Sequence, residues 1–154
     1  MGMDVYGLAP KTKGEKPTID WSLKPSDEES KAYFDAKDIF EKENVGYYFR
    51  SNVWWWRRLW EYVCDVNHDI LTEEDREHGH FNDGHEITEA QCEVICKRLT
   101  EALENGETEE YKNGYDAYVK TLDKDDVNGQ YPFEVDHVKE FRNFVRECGG
   151  FQIC

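Results

Sequence analysis

Apolar residues recur at steps of three and four through most of this chain, the spacing that lines one face of a helix. Tyr33, Ala36, Ile39 and Phe40 mark a helix from about 26 to 43, opened by a Ser26–Glu29 capping box. Val53, Trp56, Leu59, Trp60 and Val63 mark a second, capped by Ser51 or Asn52 and reaching about residue 64. Cys92, Ile95, Cys96, Leu99 and Leu103 mark a third, opened by a Thr88–Gln91 capping box and stopped by Asn105-Gly106. Tyr111, Tyr115, Tyr118, Val119 and Leu122 mark a fourth, capped by Thr108. Val135, Val138, Phe141, Phe144, Val145 and Cys148 mark a fifth, ended by Gly149-Gly150, and Thr72 starts a short acidic helical turn. Residues 3–7 and 151–154 read as short strands, with 47–50 extended. The pattern predicts a helix-rich α+β fold of four to five helices, with a small sheet formed by the short terminal strands.

Between these elements, 8–25 is loop-like, with Pro10, Gly14, Pro17 and Pro25. Residues 65–87 are polar and hold four of the five histidines, and 123–133 is a further loop. A length of 154 residues fits one domain, 1–154, that buries roughly 70% of its unfolded surface and needs no metal or disulfide to fold. Four of the five tryptophans fall within seven residues, Trp54 to Trp60. Trp54 and Trp55 lie off the apolar stripe, beside Arg57 and Arg58. Either that helix is wrapped on several sides, or these rings face a ligand or partner.

Charge narrows the field. There are 34 acids against 19 bases, a net charge of −15, which argues against direct binding of nucleic acid or of anionic membranes. An acidic surface serves solubility, or it mimics a polyanion and occupies a protein partner's basic site. No apolar run approaches the roughly 20 residues of a membrane span, and the first residues lack the features of a secretory signal. Five cysteines without a C-x-x-C pair predict reduced core thiols in a cytoplasmic protein, rather than zinc at Cys92, Cys96 and Cys148.

Several strings resemble an uncharacterised family of small bacterial and phage proteins. They are Met1-Gly2-Met3-Asp4-Val5-Tyr6-Gly7, Tyr48-Phe49-Arg50 and Asn52-Val53-Trp54-Trp55-Trp56-Arg57. Gly79-His80, Asn82-Asp83-Gly84, Tyr131-Pro132-Phe133 and Gly149-Gly150-Phe151 through Ile153-Cys154 extend the likeness. Relatives of that kind usually carry proline where Arg58 stands, and Asp-Gly where His85-Glu86 stands. Many also have paired C-x-x-C motifs where this chain has the acidic loop 123–130. Against shorter relatives, 15–44 reads as an insertion carrying an acidic helix, a place for a partner-specific surface. The resemblance brings no activity with it.

Candidate chemistry is sparse. His78, His80 and His85 are weak metal candidates, because none sits at the spacing that makes a histidine motif specific. Asp65-x-Asn67-x-Asp69 mimics the start of a calcium loop, but Ile70 and Arg76 stand where the glycine and bidentate glutamate belong. No nucleophile motif or phosphate loop is present, and no cofactor is expected. The leading expectation is a non-enzymatic cytoplasmic binding protein of phage or prophage type. Its acidic surface, at Asp27, Glu28, Asp35 and Asp38, would engage a host protein, for defence inhibition or nucleic-acid mimicry. The alternative is a small metal- or nucleotide-dependent enzyme, or a nucleotide-sequestering protein, built on the aromatic helix and the His80–Asp83 turn. Its binding candidates are Trp54, Trp55, Arg57, Arg58, Arg50, His80, Asn82 and Asp83, with Tyr48 completing one pocket.

Overall fold

The computed structural model describes residues 2–154, so Met1 of the opening string lies outside it. Four strands, β1 (Gly2–Gly7), β2 (Tyr48–Asn52), β3 (His85–Ile87) and β4 (Phe151–Ile153), form one antiparallel sheet in the order β2-β1-β4-β3. Six helices accompany it: α1 (Asp27–Glu43), α2 (Val53–Val66), α3 (Glu73–His78), α4 (Glu89–Glu104), α5 (Glu107–Lys120) and α6 (Val135–Glu147). Two single-turn 3₁₀ helices lie at Trp21–Leu23 and Val127–Gln130. No described helix is long and apolar enough to cross a membrane.

Strand alternation gives the sheet two faces. Met3, Val5, Phe49, Ser51, Ile87, Phe151 and Ile153 point inward and are buried. Asp4, Tyr6, Tyr48 and Arg50 stand on the other face, where Tyr48 hydrogen-bonds Asp4 and the Tyr6 and Tyr48 rings lie 5.0 Å apart. The inner face is covered by Trp56, Leu59, Trp60 and Val63 of α2, Ile95 and Leu99 of α4, and Val138, Phe141, Phe144 and Val145 of α6. Trp56 and Trp60 stack 5.6 Å apart at the centre, and each indole N–H reaches a backbone carbonyl: Trp56 to Gly79 at 2.7 Å, Trp60 to Arg76 at 3.1 Å. Those two bonds fasten α3 and its following turn to α2, since a buried indole N–H without an acceptor would be costly.

The capping boxes at Ser26–Glu29 and Thr88–Gln91 form as expected, and Asn52, rather than Ser51, caps α2. Four differences from the sequence reading have physical causes. The turn at Thr72 grows into a full helix, because Thr72 and Asp75 make a third capping box. Strand β3, too short to leave a period-two pattern, forms after Gly84 turns at φ +85 and lets His85–Ile87 pair with β4. Helix α5 begins two residues early: Gly106, at φ +84, stands at its N-cap, and Thr108 is buried within the helix, sharing a 2.8 Å hydrogen bond with the Tyr62 hydroxyl. Finally, the stripes of α1 and α5 are not core faces. Of the α1 stripe only Phe40 is buried, Ile39 is 57% exposed, and Tyr118 of α5 is half exposed.

Helix α1 is therefore an arm. Its C-terminal end is held by Phe40, whose ring meets Tyr47 edge-on at 5.3 Å, and by buried Asn44, whose side-chain amide donates to the Phe40 and Lys13 carbonyls. The rest of the arm packs mainly on its own lead-in, through Trp21 against Tyr33 and Phe34.

Candidate functional site

Helix α2 carries the first candidate surface. Its Asn52 cap turns the chain so that Trp54 and Trp55 fall on the flanks, each more than a third exposed. Trp54 lies 4.9 Å from the Tyr131 ring, and Arg57 sits 5.8 Å above the same ring. Arg58 is held between Tyr115 and Tyr131 at 5.3 and 5.2 Å. It also donates to Glu61 at 2.7 Å and to the Asn128 carbonyl at 3.3 Å. Both arginines thus stack on tyrosines brought in from α5 and the following loop, and not on a tryptophan of their own helix. Arg58 is engaged as a tether of the 127–130 turn. The cleft left beside it, about 110 Å³ between Arg57, Arg58, Glu61, Asn128 and Tyr131, is well below the roughly 300 Å³ at which small-molecule sites begin.

A larger groove, about 490 Å³, lies around the start of α2 and the start of α6, lined by Arg50, Asn52, Trp55, Glu134, His137 and Glu140 among others. His137 is its centre. The ring stacks on Phe49 at 5.7 Å and takes the edge of Trp55 at 5.7 Å. Burial pushes its pKa down to about 4, so it is neutral at physiological pH. The sequence reading passed over His137. Its steps of four and seven to Phe141 and Phe144 put it on the same helical face and were the available signal. Arg50 at the rim is exposed and lies 3.8 Å from Asp4, while Glu134, Asp136 and Glu140 give the groove a surplus of carboxylates.

The histidine turn divides in two. Asp75 closes the α3 cap and accepts from His85 Nε2 and Gln91 Nε2, both at 2.8 Å. Burial alone would raise this carboxyl, but the hydrogen bonds from Thr72, His85 and Gln91 outweigh it and hold Asp75 below its ordinary value. His78 pairs with Asp83 at 2.5 Å and stacks on His85 at 5.2 Å. The Asp83 contact raises His78 and lowers Asp83. This chain of groups ties α3 to β3 and α4. His80 is turned elsewhere, half-buried, with its pKa lowered by that burial and with Glu61 and Arg57 as its nearest charges. Asn82 donates to the Gly2 carbonyl at 3.2 Å.

The His80–Asp83 turn therefore does not bring its two named side chains to one site: Asp83 pairs with His78, and His80 is turned elsewhere. Tyr48, Arg50, Arg57, His80 and Asp83 also do not share a pocket: Tyr48 is committed to Asp4 on the outer sheet face. The three histidines do not converge, and no group of three or more His, Cys, Asp or Glu among the described residues is arranged to hold a metal.

The third surface is the arm. Helix α1 holds seven acids against three lysines. Asp27, Glu28 and Asp38 are exposed, and Asp35 pairs with Lys31 at 2.9 Å in solvent. Large apolar side chains stand among them: Trp21, Phe34 and Ile39 are half exposed or more, and Leu23 is 78% exposed. Between α1 and the 17–25 segment runs a groove of about 550 Å³, lined by Ile19, Leu23, Pro25, Ala32, Tyr33 and Ala36, with Asp20 and Glu29 at its rim.

No family model matches the chain, and no curated protein or solved structure matches it.

Proposed function

We propose that this chain is a non-enzymatic binding protein whose α1 arm engages a basic protein surface. One observation carries the reading. The arm is a 17-residue helix that buries only Phe40, yet with its 21–23 lead-in it holds Trp21, Leu23, Phe34 and Ile39 in water among carboxylates. Exposed apolar clusters rimmed by charge are the usual form of an interaction site, with aromatic anchors supplying affinity. The acidic rim and the net charge of −15 steer toward a positively charged partner and raise the association rate. A protein surface that ordinarily holds nucleic acid has this complementary chemistry. The resemblance to small bacterial and phage proteins makes a bacterial host protein the partner to seek.

The enzyme or nucleotide reading has less support. The arginine cleft is too small for a nucleotide, and the His137 groove sets three carboxylates against any phosphate. The test uses the tagged full chain as bait in a bacterial extract, beside a variant with Asp27, Glu28, Asp35 and Asp38 changed to Lys and a second with Trp21→Ala and Phe34→Ala. Melting curves confirm that each variant is folded. The expected result is a basic partner, released by moderate salt and lost with either variant. Retention of the same partner by both arm variants, with loss on Arg57→Ala or Trp55→Ala, would overturn the reading and move the site to α2.

A further inference from the structure

Two thiols far apart in sequence meet in the core. Cys92 lies in the first turn of α4 and Cys148 at the end of α6, with Sγ atoms 3.8 Å apart and both side chains buried. The backbone supports the meeting. Gly149 and Gly150 turn at φ +64 and +93 and carry the chain from the end of α6, where Cys148 sits, into β4. A side chain at Gly149 would sit 2.4 Å from the Ala9 carbonyl oxygen, so this turn is fixed by packing as well as by its dihedrals. Cys92 also lines a cleft of about 270 Å³, with Lys11, Glu93, Cys96, Arg146 and Gly149 around it. A cleft that size admits several waters, and so a molecule as small as hydrogen peroxide.

We infer that Cys92 and Cys148 form a dithiol that a small hydroperoxide oxidises to a disulfide, tying α4 to the turn between α6 and β4. Cys92, which lines the cleft, meets the peroxide first, and Cys148, 3.8 Å away, resolves the product. The Cys148 thiol donates its hydrogen bond to the Cys92 sulfur. As Cys92 gives up its proton, its sulfur attacks one peroxide oxygen, the O–O bond breaks, and the departing hydroxide takes the Cys148 proton to become water. The Cys148 thiolate then attacks the Cys92 sulfenic sulfur. The S–O bond breaks, and the second hydroxide leaves as water with the proton first released by Cys92. Two thiols and one hydrogen peroxide give one disulfide and two waters; the sulfurs lose two electrons and the peroxide gains them. Small side-chain rotations must close the sulfurs to the roughly 2.05 Å of a disulfide. Cys64 is buried away from this cleft and its thiol is pushed up to about 12, chiefly by burial, which leaves it unreactive.

The test is to treat the reduced full chain with stoichiometric hydrogen peroxide, alkylate it in denaturant and map the peptides. Urea unfolding is measured before and after, and again after dithiothreitol. The expected result is one cross-link between the Cys92 and Cys148 peptides, with a higher unfolding midpoint that dithiothreitol reverses. Cys92→Ala or Cys148→Ala should abolish both, while Cys96→Ala keeps them. Should the alanine variants fail to fold, the wild-type peptide map decides alone. A cross-link through Cys96 or Cys154 instead, or recovery of Cys92 and Cys148 as alkylated thiols after peroxide, overturns the inference.

Discussion

Gly79 is an exacting position in the core, for a reason that its backbone does not reveal. It ends α3 at φ −59, ψ −17, a conformation open to any residue. Its carbonyl accepts the Trp56 indole N–H, and a Cβ placed on it would lie 2.0 Å from Nε1 and Cε2 of Trp60. Gly79→Ala therefore carries no dihedral penalty and acts only through space. To restore ordinary contact, the Trp60 ring must retreat by about 1.5 Å, or the α3 turn must lift from α2. The ring has nowhere to go: it is fully buried, stacked on Trp56 and edge-on to Phe151 at 6.3 Å. Overpacking of this kind costs about 1–3 kcal/mol. Loss of the Trp60 bond to Arg76, or of the Trp56 bond to Gly79, adds about 1–2 kcal/mol for a buried donor left unpaired. The expected destabilisation is about 2–5 kcal/mol, a large part of the 5–15 kcal/mol that holds a typical domain folded. With a urea slope of about 2 kcal/mol/M, the unfolding midpoint should fall by about 1–2.5 M, followed by tryptophan fluorescence and circular dichroism. Gly114→Ala is the internal control. Gly114 lies inside α5 with nothing within 4 Å of a new Cβ, so alanine there should raise stability by about 0.5–1 kcal/mol. A Gly79→Ala midpoint within about 0.3 M of wild type would refute the steric account.

The remaining predictions concern α2 and pH. Trp56→Ala should cost about 3–5 kcal/mol in the same urea assay, and Trp54→Ala, whose ring is 44% exposed, less than about 1.5 kcal/mol; equal losses would mean that the flank is as tightly packed as the stripe. For His137, the folded pKa of about 4 lies below the unfolded value near 6.5, so the unfolded chain binds more protons between them. The stability from a neutral His137 is complete above about pH 6.5 and is lost as the pH falls toward 4. Discounted for the ring's partial exposure, the loss is about 1–2 kcal/mol. His137→Phe should flatten the fall of the melting temperature between pH 7 and 4.5, with His80, also lowered by burial, keeping part of it; an unchanged slope would remove His137 from the account.

Local signals were legible where they act locally. Ser26 with Glu29 and Thr88 with Gln91 announce helix starts because the groups that satisfy each other lie three residues apart. The Trp56–Trp60–Val63 stripe is core because its helix has the whole sheet to pack on. The stripe of α1 has the same spacing but meets the core only through Phe40, and periodicity cannot tell a core face from a face left largely in water. The site was least legible for a related reason. His78 meets Asp83 and not His80, Arg58 meets Tyr115 and Tyr131, and Cys92 meets Cys148 through contacts that depend on how distant segments dock. Thr108 shows the same limit at short range. As a cap it would face water, but Gly106 starts the helix first and rotates the hydroxyl inward to Tyr62.

The antiparallel pairing of β1 with β4 bears on how the molecule answers force. Asp4 exchanges backbone hydrogen bonds with Cys154, and the register runs on through Val5–Ile153 to Gly7–Phe151, so both chain ends leave the ladder on the same side. Tension applied between the two ends loads these bonds one after another, as a zipper opens, instead of shearing them together. Asp4 and Cys154 part first, and the next pair is Val5 and Ile153, both fully buried, so extension past the first rung also wets the core beneath. Mechanical resistance along this axis should be low whatever the thermodynamic stability, with β1 and β4 peeling apart while the helices behind them remain intact.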